Sequence, residues 1–277
     1  MKLSAGTWTL TIAPELGGAI TALRRQGEDV LRPAPDGARE PFLLASFPMA
    51  PYANRIANGR FEAGGERYAL VPNHDGQDHP LHGVSWLRPW DVETSDASSA
   101  TLVHRHSGDA TWPWSYRAEQ HFALDEAGLS IALTLINEHD RPMPASLGFH
   151  PYFPASATMA LRFEADEVWL HDEQCLPSML AAADSFGDWE SGGPVQGAPF
   201  IDNSYVGWTC TTRITRPDGD LLLTGENTPV LHLYTPPGEP FFCMEPATST
   251  PDAFNRSTPV TLGPGQSHRI GMAIRTA

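Results

Sequence analysis

The stretch YRAEQHFALDEAGLSIALTLINE, residues 116–138, indicates the fold of this chain more clearly than any other. Leucine or isoleucine recurs at every other position from Leu129 to Leu135, which is the spacing of a strand with one buried face. Residues 125–128 combine Asp, Glu, Ala and Gly, a composition that is typical of a turn. The stretch therefore predicts an antiparallel hairpin of two long strands.

The same short alternation returns along the rest of the chain. Further strands are predicted in TWTLTI (7–12), RITRPDGDLLLT (213–224, a second hairpin), VLHLYTP (230–236), FFCME (241–245) and RIGMAIRT (269–276). The best candidate for a helix, residues 179–186, is brief. Many short strands with turn signals predict an all-β fold of large antiparallel sheets. We find no repeat and no linker, and the Gly/Pro-rich residues 188–199 resemble a surface loop. Residues 1–277 are therefore predicted to form one domain.

The composition excludes several classes of function. The chain has 277 residues with 33 acidic against 18 basic side chains, a net charge of −15. A protein that tracks nucleic-acid phosphates needs the opposite sign, so no nucleic-acid partner is expected. Lys2 is the single lysine, which leaves no internal lysine for a Schiff base, for pyridoxal phosphate or for a Walker A loop.

The cysteine content and the hydropathy of the chain indicate in which cellular compartment the protein is expected. Cys175, Cys210 and Cys243 are odd in number and far apart, so neither a disulfide framework nor a zinc knuckle is indicated. The first residues alternate like a strand and do not resemble a signal peptide. No apolar run approaches the roughly 20 residues of a membrane span. We expect a cytoplasmic protein without a membrane partner.

Five segments mix aromatic, polar, Gly and Pro residues between the apolar strands. They are FPMAPYANRIANGRF (47–61), HPLHGVSW (79–86), LGFHPYF (147–153), FIDNSYVGW (200–208) and MEPATSTPDAFN (244–255). Sugar hydroxyls require directed hydrogen bonds, whereas the C–H faces of a sugar require flat apolar partners. These segments therefore predict a sugar-binding pocket.

The motifs in these segments, in this order, resemble the aldose 1-epimerase (galactose mutarotase) family from about Phe47 to Asn255. The resemblance implies a large antiparallel β-supersandwich, galactose mutarotase-like, and an isomerase that interconverts the α and β anomers of a free aldose. It implies no cofactor and no metal. The chain departs from the family pattern at Ser204 and Tyr205, where a cysteine and a phenylalanine are usual, and it is shorter than typical members.

Position by position, the resemblance implies six site residues: Glu245, His150 and His82 as catalytic groups, and Arg55, Asp202 and Asn54 as sugar-binding groups. Opening a sugar ring needs a base for the C1 hydroxyl, here Glu245, and an acid for the ring oxygen, here His150. We expect a bell-shaped pH profile, with the carboxylate setting the acidic limb and the imidazole setting the basic limb.

Other interpretations stay open at this point. Most histidines are structural, and His79 with His82 could suggest zinc, although no carboxylate or cysteine completes that set. Trp86, Trp208, Phe149 and Tyr152 are more typical of a core than of a stacking platform. Competing functions are a hexose-6-phosphate 1-epimerase, a non-catalytic carbohydrate-binding protein and a glycoside hydrolase. The preferred sugar and the oligomeric state are not predicted.

Overall fold

The computed structural model describes residues 1–277, and nearly all of its regular structure is β-strand. The strands are β1 Lys2–Ala5, β2 Trp8–Ala13, β3 Ala19–Arg25, β4 Glu28–Asp29, β5 Pro48–Met49, β6 Arg60–Ala63, β7 Glu66–Ala69, β8 Asp91–Ser95, β9 Ser99–Asp109, β10 Trp112–Leu124, β11 Gly128–Asn137, β12 Met143–Ala145, β13 Gly148–Phe149, β14 Tyr152–Pro154, β15 Ala160–Phe163, β16 Glu167–His171, β17 Pro177–Ala182, β18 Gly193–Pro194, β19 Ile201–Val206, β20 Thr211–Thr215, β21 Leu221–Glu226, β22 Val230–Thr235, β23 Phe241–Ala247, β24 Val260–Leu262 and β25 Ser267–Thr276. The helices are α1, Ala253–Arg256, and three single 3₁₀ turns, Pro41–Leu43, Ala57–Gly59 and Ser85–Leu87.

Two large sheets contain most of the strands. One has nine strands in the order β18-β15-β20-β21-β25-β11-β10-β9-β8, and the other has eight, in the order β17-β16-β19-β22-β23-β13-β5 with β14 also paired to β23. Strands β1–β4, β6–β7 and β12 with β24 form three small sheets. The pairs within both large sheets are antiparallel. The predicted all-β, antiparallel architecture is confirmed.

The predicted hairpins are present, whereas the candidate helix is not. Strands β10 and β11 pair along residues 116–137, and β20 pairs with β21 across the turn at 217–219. Residues 179–182, expected as the start of a helix, lie instead in β17 and pair with β16. The edge of β16 offers this apolar stretch a ladder of backbone hydrogen bonds, and tertiary pairing of that kind overrides a weak helical preference.

A core of 54 buried side chains draws on both large sheets, from Leu3 to Ile274. In β22, Leu231 and Leu233 belong to this core, and in β23 Phe242 and Met244 do so. Successive side chains of a strand point to opposite faces of its sheet. The residues between these core positions therefore project from the other face of the eight-stranded sheet, and that face carries the candidate site.

No helix in the chain is long and apolar enough to cross a membrane. The cytoplasmic location expected from the sequence stays a prediction. All three cysteines are free thiols: Cys175 and Cys210 are half-buried and Cys243 is buried. Cys243 is one of the residues between core positions in β23, so its thiol projects from the face described above.

Candidate active site

Two rows of polar and aromatic side chains cross the outward face of the eight-stranded sheet. Residue pairing between neighbouring strands gives one row of Ser204, His232 and Glu245, and a second row of Asp202, Tyr234 and Cys243. Side chains that are directly opposite on antiparallel strands have Cβ atoms about 4.5–5.5 Å apart. The sheet thus places a histidine beside a glutamate at the centre of this face.

A pocket of about 430 Å³ lies over these rows. Loops contribute Asn54, Arg55 and His82, and the connection between β13 and β14 contributes His150. All six residues that the sequence predicted for the site line this one pocket. Ligand pockets usually measure about 300–1,000 Å³, so the size suits one small molecule. The catalytic and binding roles of the six residues stay predictions.

Glu245 and His150 form a buried pair at the floor of the pocket. His150 Nε2 lies 3.2 Å from Glu245 Oε1, and the two side chains are 8% and 3% exposed. Burial raises the pKa of Glu245 to about 7 and lowers the pKa of His150 to about 3. Glu245 Oε2 and His150 Nδ1 have no hydrogen-bond partner in the protein. Buried polar atoms normally have partners, so these two atoms are exceptions at the base of the pocket.

Asp202 is held between two cationic side chains. Its Oδ1 lies 2.7 Å from His232 Nε2, and its Oδ2 lies 3.5 Å from Arg55 Nη2. Burial favours the neutral acid, but the hydrogen bond from His232 and the charges of His232 and Arg55 outweigh it and hold the pKa of Asp202 well below its ordinary value. Asp202 is therefore an acceptor of hydrogen bonds throughout the physiological pH range.

His82 is fixed by the backbone around it. The backbone N–H of Asn54 donates to His82 Nδ1 at 3.1 Å, so a neutral ring carries its proton on Nε2. Burial, and then the charges of His150 and Arg55, lower the pKa of His82 well below its ordinary value. Asn73 clamps the flanking backbone, because its amide donates to Leu81 O and Gly83 O. His82 is therefore a neutral hydrogen-bond donor.

Residues 244–255, the last of the five polar and aromatic segments, hold the loop that carries Arg55 in place. The Asp252 backbone N–H donates to Arg55 O at 2.7 Å, and Asp252 Oδ1 accepts from the Ala57 N–H at 2.9 Å. The Asn255 side chain donates to Arg60 O. The Asp252 carboxylate therefore connects two motifs almost 200 residues apart, a contact that no local pattern could reveal.

Aromatic side chains form the walls of the pocket. Phe42, Tyr152, Phe200, Tyr234 and Phe241 line it, and Phe200 is 43% exposed. Trp86, Phe149 and Trp208 are buried in the protein, as expected for core residues, whereas Tyr152 serves both packing and pocket. An amphipathic wall around polar groups is the arrangement that carbohydrates require.

His232 is the site residue that sequence reasoning missed. Its Nδ1 lies 2.8 Å from Ser204 Oγ and its Nε2 contacts Asp202. The available signal was a single histidine at an alternate position of the apolar strand VLHLYTP, on the same face as Tyr234. Cys175 and Gln77, from two separate loops, also line the pocket without any sequence signal.

A larger depression of about 900 Å³ lies elsewhere, around Asp166, Asp184 and Asp188. Its lining contains carboxylates and Arg162 but no histidine. Asp166, Asp184 and Asp188 are all exposed. The depression thus offers no buried acid–base pair, and the smaller pocket is the candidate active site.

Three side chains could hold a metal ion. Ligand atoms of His150, Cys243 and Glu245 lie within 4.8 Å of one another, and all three residues are buried. Nitrogen, sulfur and carboxylate oxygen together suit Zn²⁺. Because this set contains both members of the acid–base pair, a metal bound there would block proton transfer rather than assist it.

Metal removal tests this interpretation. We expect EDTA to leave the anomer exchange predicted from the sequence unchanged, and added Zn²⁺ to inhibit it. Cys243→Ala should weaken the inhibition by zinc, because one of the three ligands is lost. Steady-state rates with chelator and with a zinc series measure both effects. Loss of activity in EDTA that a divalent ion restores would contradict the prediction.

Replacement of Arg55 tests the binding role. Loss of a charge-assisted hydrogen bond costs about 1.5–3 kcal/mol, which is roughly a 10–100-fold increase in KM. We expect Arg55→Ala to raise KM in this range while kcat changes much less. Arg60→Ala is the matched control, because Arg60 follows the same loop at the start of β6 and is exposed and outside the pocket. A wild-type KM in folded Arg55→Ala would remove Arg55 from the site.

The fold and the pocket together define a β-sandwich protein with a buried acid–base pair in an aromatic-walled, polar cavity. Residues 2–275 match the family model of aldose 1-epimerases, and the chain belongs to that family. The antiparallel supersandwich of galactose mutarotase type that the sequence predicted is thereby confirmed.

Relatives cover the whole chain. The uncharacterized protein YphB of Escherichia coli K12 is 29% identical over 287 residues, covering 99% of this chain and 97% of that protein. The uncharacterized protein YihR of the same strain is 25% identical over 286 residues, covering 98% and 91%. A crystal structure of a proposed aldose 1-epimerase from E. coli K12 has a TM-score of 0.92 at 28% identity, covering 100% and 98%. A galactose mutarotase-like protein from Clostridium acetobutylicum shares the fold, with a TM-score of 0.89 at 19% identity, covering 100% and 94%.

Proposed function

We propose that this chain is an aldose 1-epimerase that interconverts the α and β anomers of a free aldose by general acid–base ring opening. The observation that carries the proposal is the buried Glu245–His150 pair, 3.2 Å apart on the floor of a sugar-sized pocket. We further propose that residues 1–277 act as one domain, because the main core combines side chains from Leu3 to Ile274.

The reaction moves protons only within the pair and the sugar. Glu245 takes the proton from the C1 hydroxyl while protonated His150 gives a proton to the ring oxygen, and the C1–O5 bond breaks to give the open aldehyde. Rotation about C1–C2 presents the other carbonyl face, and the reverse transfers close the ring. The pair carries one transferable proton throughout: in the resting site it lies mainly on Glu245, the group with the higher pKa, and it shifts to His150 before the ring opens. A positioned acid and base each contribute about 10²–10⁴-fold.

Three of the other residues would hold the sugar, and Asn54 would position one of them. Arg55 and the N–H on His82 Nε2 donate to oxygens, whereas Asp202 accepts from hydroxyl groups. Asn54 acts on the loop: its side-chain oxygen accepts from the backbone N–H and the Nη1 of Arg55, at 2.9 and 3.2 Å. The aromatic walls would cover the C–H faces of the ring.

The pocket favours a free sugar over a sugar phosphate. Arg55 is the single lysine or arginine that lines it, and Asp202 already engages that guanidinium. A phosphate group is usually held by several cationic donors. A glycoside hydrolase is less well supported, because Asp202 is bound by both Arg55 and His232 and so is not free to act as a nucleophile.

Anomer-exchange NMR tests the proposal. Exchange cross-peaks between α and β anomers should appear at catalytic protein concentrations with at least one sugar from a panel of free aldoses, and kcat/KM should be lower for their 6-phosphates. Saturable binding without exchange would identify a carbohydrate-binding protein. A phosphate ester turned over ten times better than every free sugar would identify the 6-phosphate epimerase. Release of reducing sugar from glycosides would identify a hydrolase.

The pH dependence follows from the two pKa values and corrects the expectation from the sequence. Glu245 has the higher pKa, about 7, and His150 the lower, about 3, so the singly protonated pair exists between these values. Each limb of the pH profile reports a pKa of the coupled pair rather than of one residue. Above pH 7 the pair loses its one transferable proton, and below about pH 3 it gains a second. We therefore expect kcat/KM to fall above about pH 7, about tenfold per unit.

Rates measured between pH 4.5 and 9, after subtraction of spontaneous mutarotation, check this profile. The control is the same protein followed by circular dichroism across the range, so that loss of folding is not mistaken for titration. A rate that rises from pH 7 to 9 would contradict the prediction, because it would make the ionised carboxylate beside a neutral imidazole the active form.

A further inference from the structure

Arg32 contacts the aromatic wall of the pocket without lining the pocket itself. Its guanidinium carbon lies over two rings of that wall, 4.0 Å from the centre of the Tyr152 ring and 4.4 Å from the centre of the Phe241 ring. The centres of the two rings are 5.5 Å apart, and their planes are inclined at 59°. A cation over the face of an aromatic ring is attracted to it, and more strongly where water is excluded. One guanidinium therefore holds both rings.

The same side chain holds the backbone of a third wall residue. Arg32 Nη2 donates to the carbonyl oxygens of Phe42 and Leu44, at 2.6 and 3.0 Å, and the Arg32 backbone N–H donates to Tyr152 O at 2.8 Å. Phe42, Tyr152 and Phe241 are three of the five aromatic side chains that line the pocket. They come from a 3₁₀ turn, from β14 and from β23, so one arginine connects three separate segments of the wall.

The shape of arginine suits these contacts. Arg32 is half-buried, and its charge is met by rings and carbonyl oxygens rather than by a carboxylate. A planar guanidinium stacks on aromatic faces while its edge donates hydrogen bonds in a fixed fork, whereas a lysine ammonium is a compact point charge. A surface ion pair would need only the charge. The contacts of Arg32 need the plane as well, which indicates a role directed at the rings.

The wall that Arg32 contacts lies next to the floor of the pocket. Tyr152 stacks on His150, with ring centres 4.7 Å apart and planes inclined at 21°. Phe241 and Glu245 are four residues apart in β23, so their side chains project from the same face of the sheet. A displacement of either ring would therefore change the space above the acid–base pair.

We propose that Arg32 is a positioning residue for the sugar, which holds Phe42, Tyr152 and Phe241 together as one wall against an apolar face of the bound aldose. This inference rests on the proposed function for the identity of the ligand. Arg32 touches neither the sugar nor a transferred proton in that scheme, and it acts through the three wall residues. A wall against the C–H face of the ring is in contact before and during ring opening, so its loss weakens ground-state and transition-state binding alike.

Arg32→Met keeps an unbranched side chain but removes the charge, the plane and the donors. We expect KM to rise about tenfold while kcat changes less than about threefold. Arg32→Lys restores the cation but not the planar fork, so its KM should lie between those of Arg32→Met and wild type. If Arg32→Met does not fold, Arg32→Lys carries the test. A wild-type KM in every folded Arg32 variant would overturn the proposal.

Arg216→Met is the matched control for loosening of the chain around Arg32. Arg216 donates to Asp29 O and Val30 O, so it holds the residues just before Arg32, but its hydrogen bonds reach no wall residue. Arg216→Met should keep the wild-type KM even if it melts at a lower temperature. An equal rise in KM in Arg216→Met and Arg32→Met would show that Arg32 only supports this segment, and would overturn the proposal.

A binding measurement that needs no turnover gives the second test. The Kd of each free aldose in the panel is measured by NMR titration for wild type, Arg32→Met, Tyr152→Leu and the double variant. Because Arg32 acts through the wall, adding Arg32→Met to Tyr152→Leu should raise the Kd by less than about threefold. Losses that multiply in full would overturn the proposal. If wild-type protein binds an aldose but exchanges no anomers, the proposed function fails while this cycle still tests the wall. If it binds no aldose, both proposals fail.

Discussion

Glu245→Gln is expected to lower kcat for anomer exchange by about 10²–10⁴ while sugar binding persists. The amide keeps the size and most hydrogen bonds of the side chain, but it cannot accept the proton of the C1 hydroxyl. Single-turnover NMR exchange gives the rate, and saturation transfer to the bound sugar reports binding. The matched control is Glu226→Gln, an exposed carboxylate on the nine-stranded sheet, which should exchange at the wild-type rate.

This loss should not come from unfolding. Burial raises the folded-state pKa of Glu245 from 4.5 to about 7, so ionisation costs the folded state free energy that grows as the pH rises from 4.5 to 7 and is constant above. The neutral amide avoids that cost. We therefore expect Glu245→Gln to melt no lower than wild type at pH 8. Retention of more than a third of wild-type exchange would remove Glu245 from the role of base.

His150→Asn is expected to lower kcat by a similar factor, about 10²–10⁴, because asparagine donates a hydrogen bond but delivers no proton. The imidazole packs between the rings of Phe47 and Tyr152, with centroids 4.6 and 4.7 Å away, so the variant also leaves a gap. His104→Asn is the control for replacing a buried histidine outside the pocket.

The double variant distinguishes two residues that act together in one step from two residues that contribute independently. Because both residues act in one step, Glu245→Gln with His150→Asn should lower kcat little further than either change alone. Two losses that multiply would show independent contributions and would contradict a shared proton. Near-wild-type exchange in folded His150→Asn would assign the acid elsewhere, with His82 as the next donor in the pocket.

The sequence predicted strands such as β2 and β10 well because one face of each is buried. Alternation is a local property, so β10, β11 and the turn at 217–219 could be located without a structure. Residues 179–182 were misjudged because their apolar side chains, Met179 at 60% exposure among them, face solvent at a sheet edge. Nothing in the segment itself shows that β16 is available for pairing.

The site was predictable where its residues belong to motifs, and less so where long-range contacts give them a role. Resemblance located Glu245 and His150. His232 matters because the strand order places it between Asp202 and Glu245, and Asp252 matters because it meets the Arg55 loop. The sequence also could not show that the pKa of Glu245 is higher than the pKa of His150. That order follows from burial, which depends on the assembled fold.

Strand β25 has a consequence for how the protein is made. It lies inside the nine-stranded sheet, between β11 and β21, and pairs with both. On a translating ribosome, β11 and β21 are synthesised before β25. The edges that β25 later covers are therefore unpaired in the nascent chain. Non-local pairing of this kind folds slowly and exposes nascent chains to aggregation. Yield in cells should therefore depend on chaperones and on temperature during synthesis more than on the stability of the folded protein.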